Sequence, residues 1–290
     1  MSLPVKKIYV DSLHRTNEQS SASNFKVELP YSISMPHNAI FLIDEICIPH
    51  AWYSVEEGIN DKLYLHLLNQ NTGSRYNFRL IIQSGNYNGP IFASALQTAF
   101  DVLVGGSGSG WGITFSYDAN TFSLKIDVSN SHNKFWILSD VEIANKLRGY
   151  WDIAAQGLGG NIDQSNPASM NDILRNYDIE TKRYEQSTPF RSGFLNFQGI
   201  NNMYLSSPNL GTFTTIGTRG ESTIIKKIPV SSDFGYMIID RSVSVHDYLE
   251  CGKCTLKTIE FHLRDSKGRY VPMHGSNISF SIVFAIKAED

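Results

Sequence analysis

Apolar and polar residues alternate with period two at both ends of the chain. Phe25, Val27 and Leu29 alternate with Lys26 and Glu28 before Pro30. Near the other end, Ile278, Phe280, Ile282, Phe284 and Ile286 keep the same alternation, and Ile259, Phe261 and Leu263 alternate with Glu260, His262 and Arg264. This is the period of a strand with one buried face. It predicts strands at residues 6–12, 24–30, 255–264 and 277–287, with Asp265-Ser-Lys-Gly268 turning the chain between the last two. Residues 39–48 are almost continuously apolar around Asp44 and Glu45, as in a central strand, and Trp52, Tyr53 and Val55 lead into a neighbour. Further strands are predicted at 62–68, 76–83, 203–206, 222–230 and 234–241.

The middle of the chain changes character. Asn88-Gly-Pro90 opens a helix, with proline at a position where its missing N–H costs little. Ile91, Ala95, Ala99 and Leu103 share one face with Leu96 and Phe100, and the glycine run at 105–110 ends the helix. Residues 111–117 and 121–128 predict a hairpin across Asp118-Ala-Asn120, and 135–138 a short strand. Ser139 and Glu142 form a capping box for a second helix, with Ile143 and Leu147 as its stripe and Gly149 as its stop. Residues 152–191 are polar and weakly periodic, which predicts long loops with one short helix. Strands, a mixed block, then strands again is an order that a double-sheet sandwich satisfies when the terminal strands pair, since pairing hides their edges.

Composition narrows the function. Hydrophobic residues make up 41% and charged residues 18% of the 290, a balance that lets the chain bury a core. A net charge of −3 gives no basis for capturing nucleic acid. The densest basic pair on a strand, Lys226-Lys227, reads as a solvated face. No apolar run reaches the length of a membrane span, and the first residues lack a secretory pattern, so the expected place of synthesis and assembly is the cytosol or nucleus. Three cysteines make an odd count, against a disulfide framework.

Tests for chemistry come back negative. The glycine run matches no phosphate-binding motif and follows a helix instead of preceding one. Cys251-Gly-Lys-Cys254 with His246 and His262 does not have the spacing of a zinc site, and the following residues read as a strand, not the helix of a redox motif. The pair reads as reduced thiols in a turn, and Cys47 as a core residue. The histidines are dispersed, with no H-x-H pair of the kind metal-holding β-sandwich enzymes use and no H-E-x-x-H. Asp44 and Glu45 are neighbours on a strand and are expected to face opposite sides, which argues against an acid/base pair and for a rim or interface pair. Asn277-Ile-Ser279 matches a glycosylation sequon by chance. No catalytic, metal or cofactor residue is assigned.

The chain resembles a known family in several places. Ile8-Tyr-Val-Asp-Ser-Leu-His-Arg15, followed by Asn24-Phe-Lys-Val-Glu-Leu-Pro30, resembles the start of penton proteins of virophages and of the related Polinton and adintovirus group. The strand ending Ile48-Pro49 is similar to their next element, and so are Ser84-Gly-Asn-Tyr-Asn-Gly-Pro90 and Phe135-Trp-Ile-Leu138 with Lys146-Leu-Arg-Gly-Tyr150. The last two strands resemble the closing pair of a capsid jelly roll. The resemblance implies a mainly β protein: a discontinuous jelly roll from residues 1–70 and 195–290, with an inserted α/β domain of two helices and several strands at 71–194. It implies a non-enzymatic virion protein that forms homopentamers at the vertices of an icosahedral capsid and touches a double-jelly-roll major capsid protein. Two competing readings are a host-attachment or glycan-binding module, with Trp111 or Trp151 as its platform, and a jelly-roll metalloenzyme.

Overall fold

The computed structural model describes residues 4–16, 21–105, 110–144, 168–176, 184–210, 215–217 and 220–287. They fall into two compact units, Met1–Trp52 with Ile200–Asp290, and Tyr53–Gly199. In chain order the strands are β1 (Pro4–Asp11), β2 (Asn24–Ser34), β3 (Ala39–Pro49), β4 (Lys62–Asn69), β5 (Arg75–Ile81), β6 (Ile113–Asp118), β7 (Ser123–Val128), β8 (Asn133–Ile137), β9 (Phe190–Arg191), β10 (Asn202–Ser206), β11 (Ile224–Pro229), β12 (Met237–Asp240), β13 (Leu249–Glu250), β14 (Thr255–Asp265) and β15 (Ser279–Ile286). The helices are α1 (Gly89–Val104), α2 (Asp140–Ala144) and α3 (Asn171–Leu174).

The discontinuous unit is a sandwich of two sheets, ordered β1-β15-β3-β12 and β11-β10-β14-β2, with β13 also paired to β3. Set β13 aside and number the remaining eight strands of this unit by appearance. One sheet then runs first, eighth, third, sixth, and the other fifth, fourth, seventh, second. That order is a jelly roll, two Greek keys wrapped into a double sheet. The terminal strands pair: β1 lies antiparallel on β15 with Ile8 opposite Ile282. β2 lies on β14 with Phe25 opposite Phe261. Alternation puts Phe25, Val27 and Leu29, and from the other sheet Phe41, Phe280 and Phe284, into one buried core. Phe261 packs edge-on to Phe280 across the sandwich, with ring centroids 4.9 Å apart. Full burial of a side chain this size is worth about 1.5–3 kcal/mol.

A serine ties the ends together. Ser12, in a single 3₁₀ turn after β1, accepts from the Ile278 backbone N–H at 2.9 Å and donates to Asn277 Oδ1 at 3.2 Å. The Asn277 side chain of the sequon match thus serves a structural contact. The expected turn after β14 forms as well, with Lys267 N–H donating to Asp265 Oδ1 and Gly268 at φ 81°.

The second unit is contiguous in sequence. It holds two three-stranded sheets, β5-β4-β8 and β6-β7-β9, with α1 against them. Ile91 N–H donates to the Asn88 side chain, which caps the start of α1, and Gly105 closes the helix in the left-handed region at φ 83°. Gly89 is required for packing: a Cβ there would fall 2.1 Å from the Tyr117 ring. The capping box of α2 also forms, with Glu142 N–H donating to Ser139 Oγ and Ser139 N–H to Glu142 Oε2.

Several expectations are corrected. Residues 53–70 belong to the contiguous unit, because β4 pairs with β5 and β8 instead of joining the sandwich. Residues 195–199 belong there too. Trp52 and Val55 do not continue a strand; Trp52 is buried in the sandwich core and Val55 in the core of the other unit. The buried face of α1 is Phe92, Ala93, Leu96 and Phe100, while Ile91 is 54% exposed beside the cap. Lys226 is no solvated residue. Its Nζ reaches the Ile43 and Ser242 carbonyls and lies 3.5 Å from Asp240, bridging the two sheets. Strands β9 and β13, two residues each, carry too little pattern to be seen in the sequence. Leu147, Gly149 and the 146–150 element lie outside the described residues.

Candidate interaction surfaces

The chemistry-bearing residues flagged in the sequence are not assembled into a reactive site. The CxxC lies in the turn between β13 and β14, clamped against residues 35–39: Cys251 N–H donates to the Ala39 carbonyl, Lys253 N–H to Pro36, and the Cys254 carbonyl accepts from Met35. Gly252 is pressed so tightly on His37 that a Cβ would fall 2.1 Å from its carbonyl oxygen. Burial, reinforced by Cys254, pushes the Cys251 thiol up to about 12, and burial raises Cys254 as well. Thiols raised in this way are protonated at neutral pH. His262, on β14, is held by Asn24 of β2 and by Glu260, and burial keeps it below the ordinary imidazole range. His246 is exposed in a 3₁₀ turn. Among the described residues no group of three or more His, Cys, Asp or Glu is placed to hold a metal.

Asp44 and Glu45 turn out to share a side. The ladder of β3 on β15 steps from Ile43 opposite Ile282 to Glu45 opposite Ser281, so Asp44 is the extra residue of a bulge. The bulge resets alternation: Phe41 and Ile43 face the core before it, Ile46 and Ile48 after it. Both carboxylates are left on the outer surface, where each meets a cation. Lys7 Nζ lies 2.5 Å from Asp44, and Arg241 Nη2 lies 3.2 Å from Glu45. The bond to Asp44 raises Lys7, and the bond from Arg241 lowers Glu45. Cys47, expected in the core, lies half-buried on this same outer side and donates to Glu45.

The two edges of this sheet carry exposed apolar side chains. On β12 the inward residue is Ile238, while Met237 and Ile239 point outward beside Phe234 and the 70% exposed Tyr236. At the opposite edge stand Tyr9, 78% exposed, and Leu13, with Tyr31 nearby on β2. Lys6 sits over the Tyr31 ring at 4.6 Å and Lys7 over Tyr9 at 5.4 Å. Charge on an edge strand discourages pairing, whereas exposed apolar side chains are the usual chemistry of a contact surface; the β1 edge carries both and the β12 edge mainly the second. The sequence pattern hid the β12 patch, because its outward residues read as one continuous apolar strand.

In the contiguous unit, Trp111 is a core neighbour, not a platform: it packs edge-on to Tyr76 and Phe78. Trp151 lies outside the described residues. Among its described residues the exposed aromatics are Phe122 and Phe194, whose rings lie 6.2 Å apart. Among described residues, no helix is long and apolar enough to cross a membrane.

No protein-family model and no curated protein matches the chain. Among solved structures, it is similar to the crystal structure of the selenomethionine-labelled mavirus penton protein, with a TM-score of 0.52 at 9% identity, over 97% of this chain and 100% of that one. At this identity the likeness is one of fold: the chain has a β-sandwich, jelly-roll fold like that of a viral penton protein.

Proposed function

We propose that this chain is a structural, non-enzymatic capsid protein of the penton type, forming a pentamer at the five-fold vertices of an icosahedral virion and contacting a double-jelly-roll major capsid protein around it. The observation that carries this reading is the eight-strand jelly-roll order with a unit inserted between β3 and β10, in a chain that matches the mavirus penton fold over nearly its full length. A closed ring needs a heterologous contact, in which one patch of a subunit meets a different patch of the next. The β12 edge of one sheet, and the opposite edge where β1 of that sheet and β2 of the other carry Tyr9, Leu13 and Tyr31, are two such patches on the sandwich. The net charge of −3 fits a role without specific nucleic-acid binding.

Native mass spectrometry of the purified chain and reconstruction of particles containing it test the proposal. Five-membered rings and vertex density are expected. Ile239→Asp on the exposed edge should give folded monomers. A wild-type chain that stays monomeric and is absent from virions would overturn the reading.

A further inference from the structure

The outer face of the second sheet of the sandwich carries a cavity of about 430 Å³ that nothing above uses. Its floor is built by strand register. Met203 and Leu205 face the core, so Tyr204 and Ser206 between them face out. Tyr204 lies opposite Lys227 on one side and Arg264 on the other, and Ser206 lies opposite Ile224 and His262. The first row therefore reads cation, aromatic, cation, its outer Cα atoms about 10 Å apart at two strand spacings. The turn at Asp265 and Gly268 forms one wall, and Thr215, Gly217 and Thr223 line the cavity from the other direction. Ile216, 87% exposed, stands at its rim.

The two cations of this row are not paired with the carboxylates that line the cavity. Arg264 is fixed from one side: its Nη2 donates to the Tyr270 hydroxyl at 2.9 Å, and its guanidinium lies 4.7 Å from the centre of the Tyr270 ring. Neither Arg264 nor Lys227 has a carboxylate partner among the described residues. Asp265, which also lines the cavity, is already bound by Arg269 through Nε at 2.8 Å and Nη2 at 2.7 Å, and by two backbone N–H groups. His262 has both ring nitrogens engaged, by Asn24 and Glu260. Tyr204, Ser206, Thr215, Thr223 and Glu221 also line the cavity, with the Ser206 and Thr215 hydroxyls donating to the His262 and Ile224 carbonyls.

We infer that this cavity is a binding site for a carboxylated saccharide, its carboxylate held between Arg264 and Lys227 and its ring laid on Tyr204 and Ile224. A pocket of this volume suits a small ligand. The two cations select an anion, and arginine is suited to a planar carboxylate. Tyr204 and Ile224 offer a surface for the carbon face of a ring, which a bare ion would leave unused.

The test is saturation-transfer NMR and calorimetry on the full 290-residue chain with sialyllactose, with lactose and inorganic phosphate as probes of the body and the charge alone. Sialyllactose is expected to bind and the other two to bind at least about tenfold more weakly, the value of one charge-assisted contact. Lys227→Ala and Arg264→Ala should each weaken sialyllactose about tenfold. Ile216→Asp, at the exposed rim, should weaken it while leaving the melting temperature unchanged, which separates a lost site from a lost fold. Lactose or phosphate binding as tightly as sialyllactose, or undiminished binding by the Lys227→Ala, Arg264→Ala double variant, would overturn the assignment. So would no binding at all. Ring formation is read separately by mass, so failure here and failure of the capsid proposal are distinguishable.

Discussion

The two units reach their cores by opposite routes. In the sandwich, each sheet needs both ends of the chain: β1 and β3 flank β15, and β2 pairs with β14. In the contiguous unit, neighbours in sequence pair first, β4 with β5 and β6 with β7, and α1 packs on the strands beside it. Loop-closure entropy therefore falls mainly on the sandwich, whose contacts are long-range. The lesson is one of division of labour. A jelly roll closed by its own termini makes a stiff frame with defined edges. A unit that pairs locally can be inserted between β3 and β10 without altering the order of the frame.

The largest test of this contrast is in the cores. Phe261→Ala removes a ring packed on Phe25 and Phe280 and should cost about 3–5 kcal/mol. Hydrogen exchange should report that loss first in β14, β15 and β1, strands from both chain ends. Phe92→Ala, beside Tyr87 and Phe197, should cost a similar amount, with its loss read in α1 and its neighbours. If Phe261→Ala left β1 protected while exposing β14, the claim that the two ends form one cooperative frame would fail.

A smaller effect separates the staple from the cap. Ser12→Ala leaves the Ile278 N–H without its acceptor and should cost about 1–3 kcal/mol, as an unsatisfied buried donor does. Asn88→Ala removes a helix cap and should cost about 1 kcal/mol, confined to the first turn of α1. Urea melts of both variants give the comparison; equal and global losses would erase the distinction between long-range and local closure.

The smallest effect is alkaline. Cys251 holds its proton to about 12 when folded, against 9.0 ordinarily. The folded chain then binds more protons between these values. Its contribution to stability is complete below about pH 9 and is lost as the pH rises towards 12. Maleimide should label Cys251 at neutral pH only after unfolding. Rapid labelling of the native chain would show that the clamp on residues 251–254 does not hold.

Most strands were legible because alternation is local. Phe25–Val27–Leu29 and Ile278 to Ile286 could bury one face in no other way, whatever their partners. The capping residues Asn88 and Ser139 announced their helices for the same local reason. Of the interaction surfaces and the cavity, almost nothing was legible. Lys227, Tyr204 and Arg264 are distant in sequence and become one row only through register.

The amino-acid sequence by itself determined that this is a strand-rich protein whose two ends carry matching half-buried faces, because period and turn chemistry are properties of short segments. Only the tertiary structure decided which strands share a sheet. It drew β4 out of the sandwich, turned Asp44 and Glu45 to the same side through a bulge, and left β12 with an apolar edge. Pairing partners and register depend on residues far apart in the chain, and a one-residue step in register reverses every face that follows.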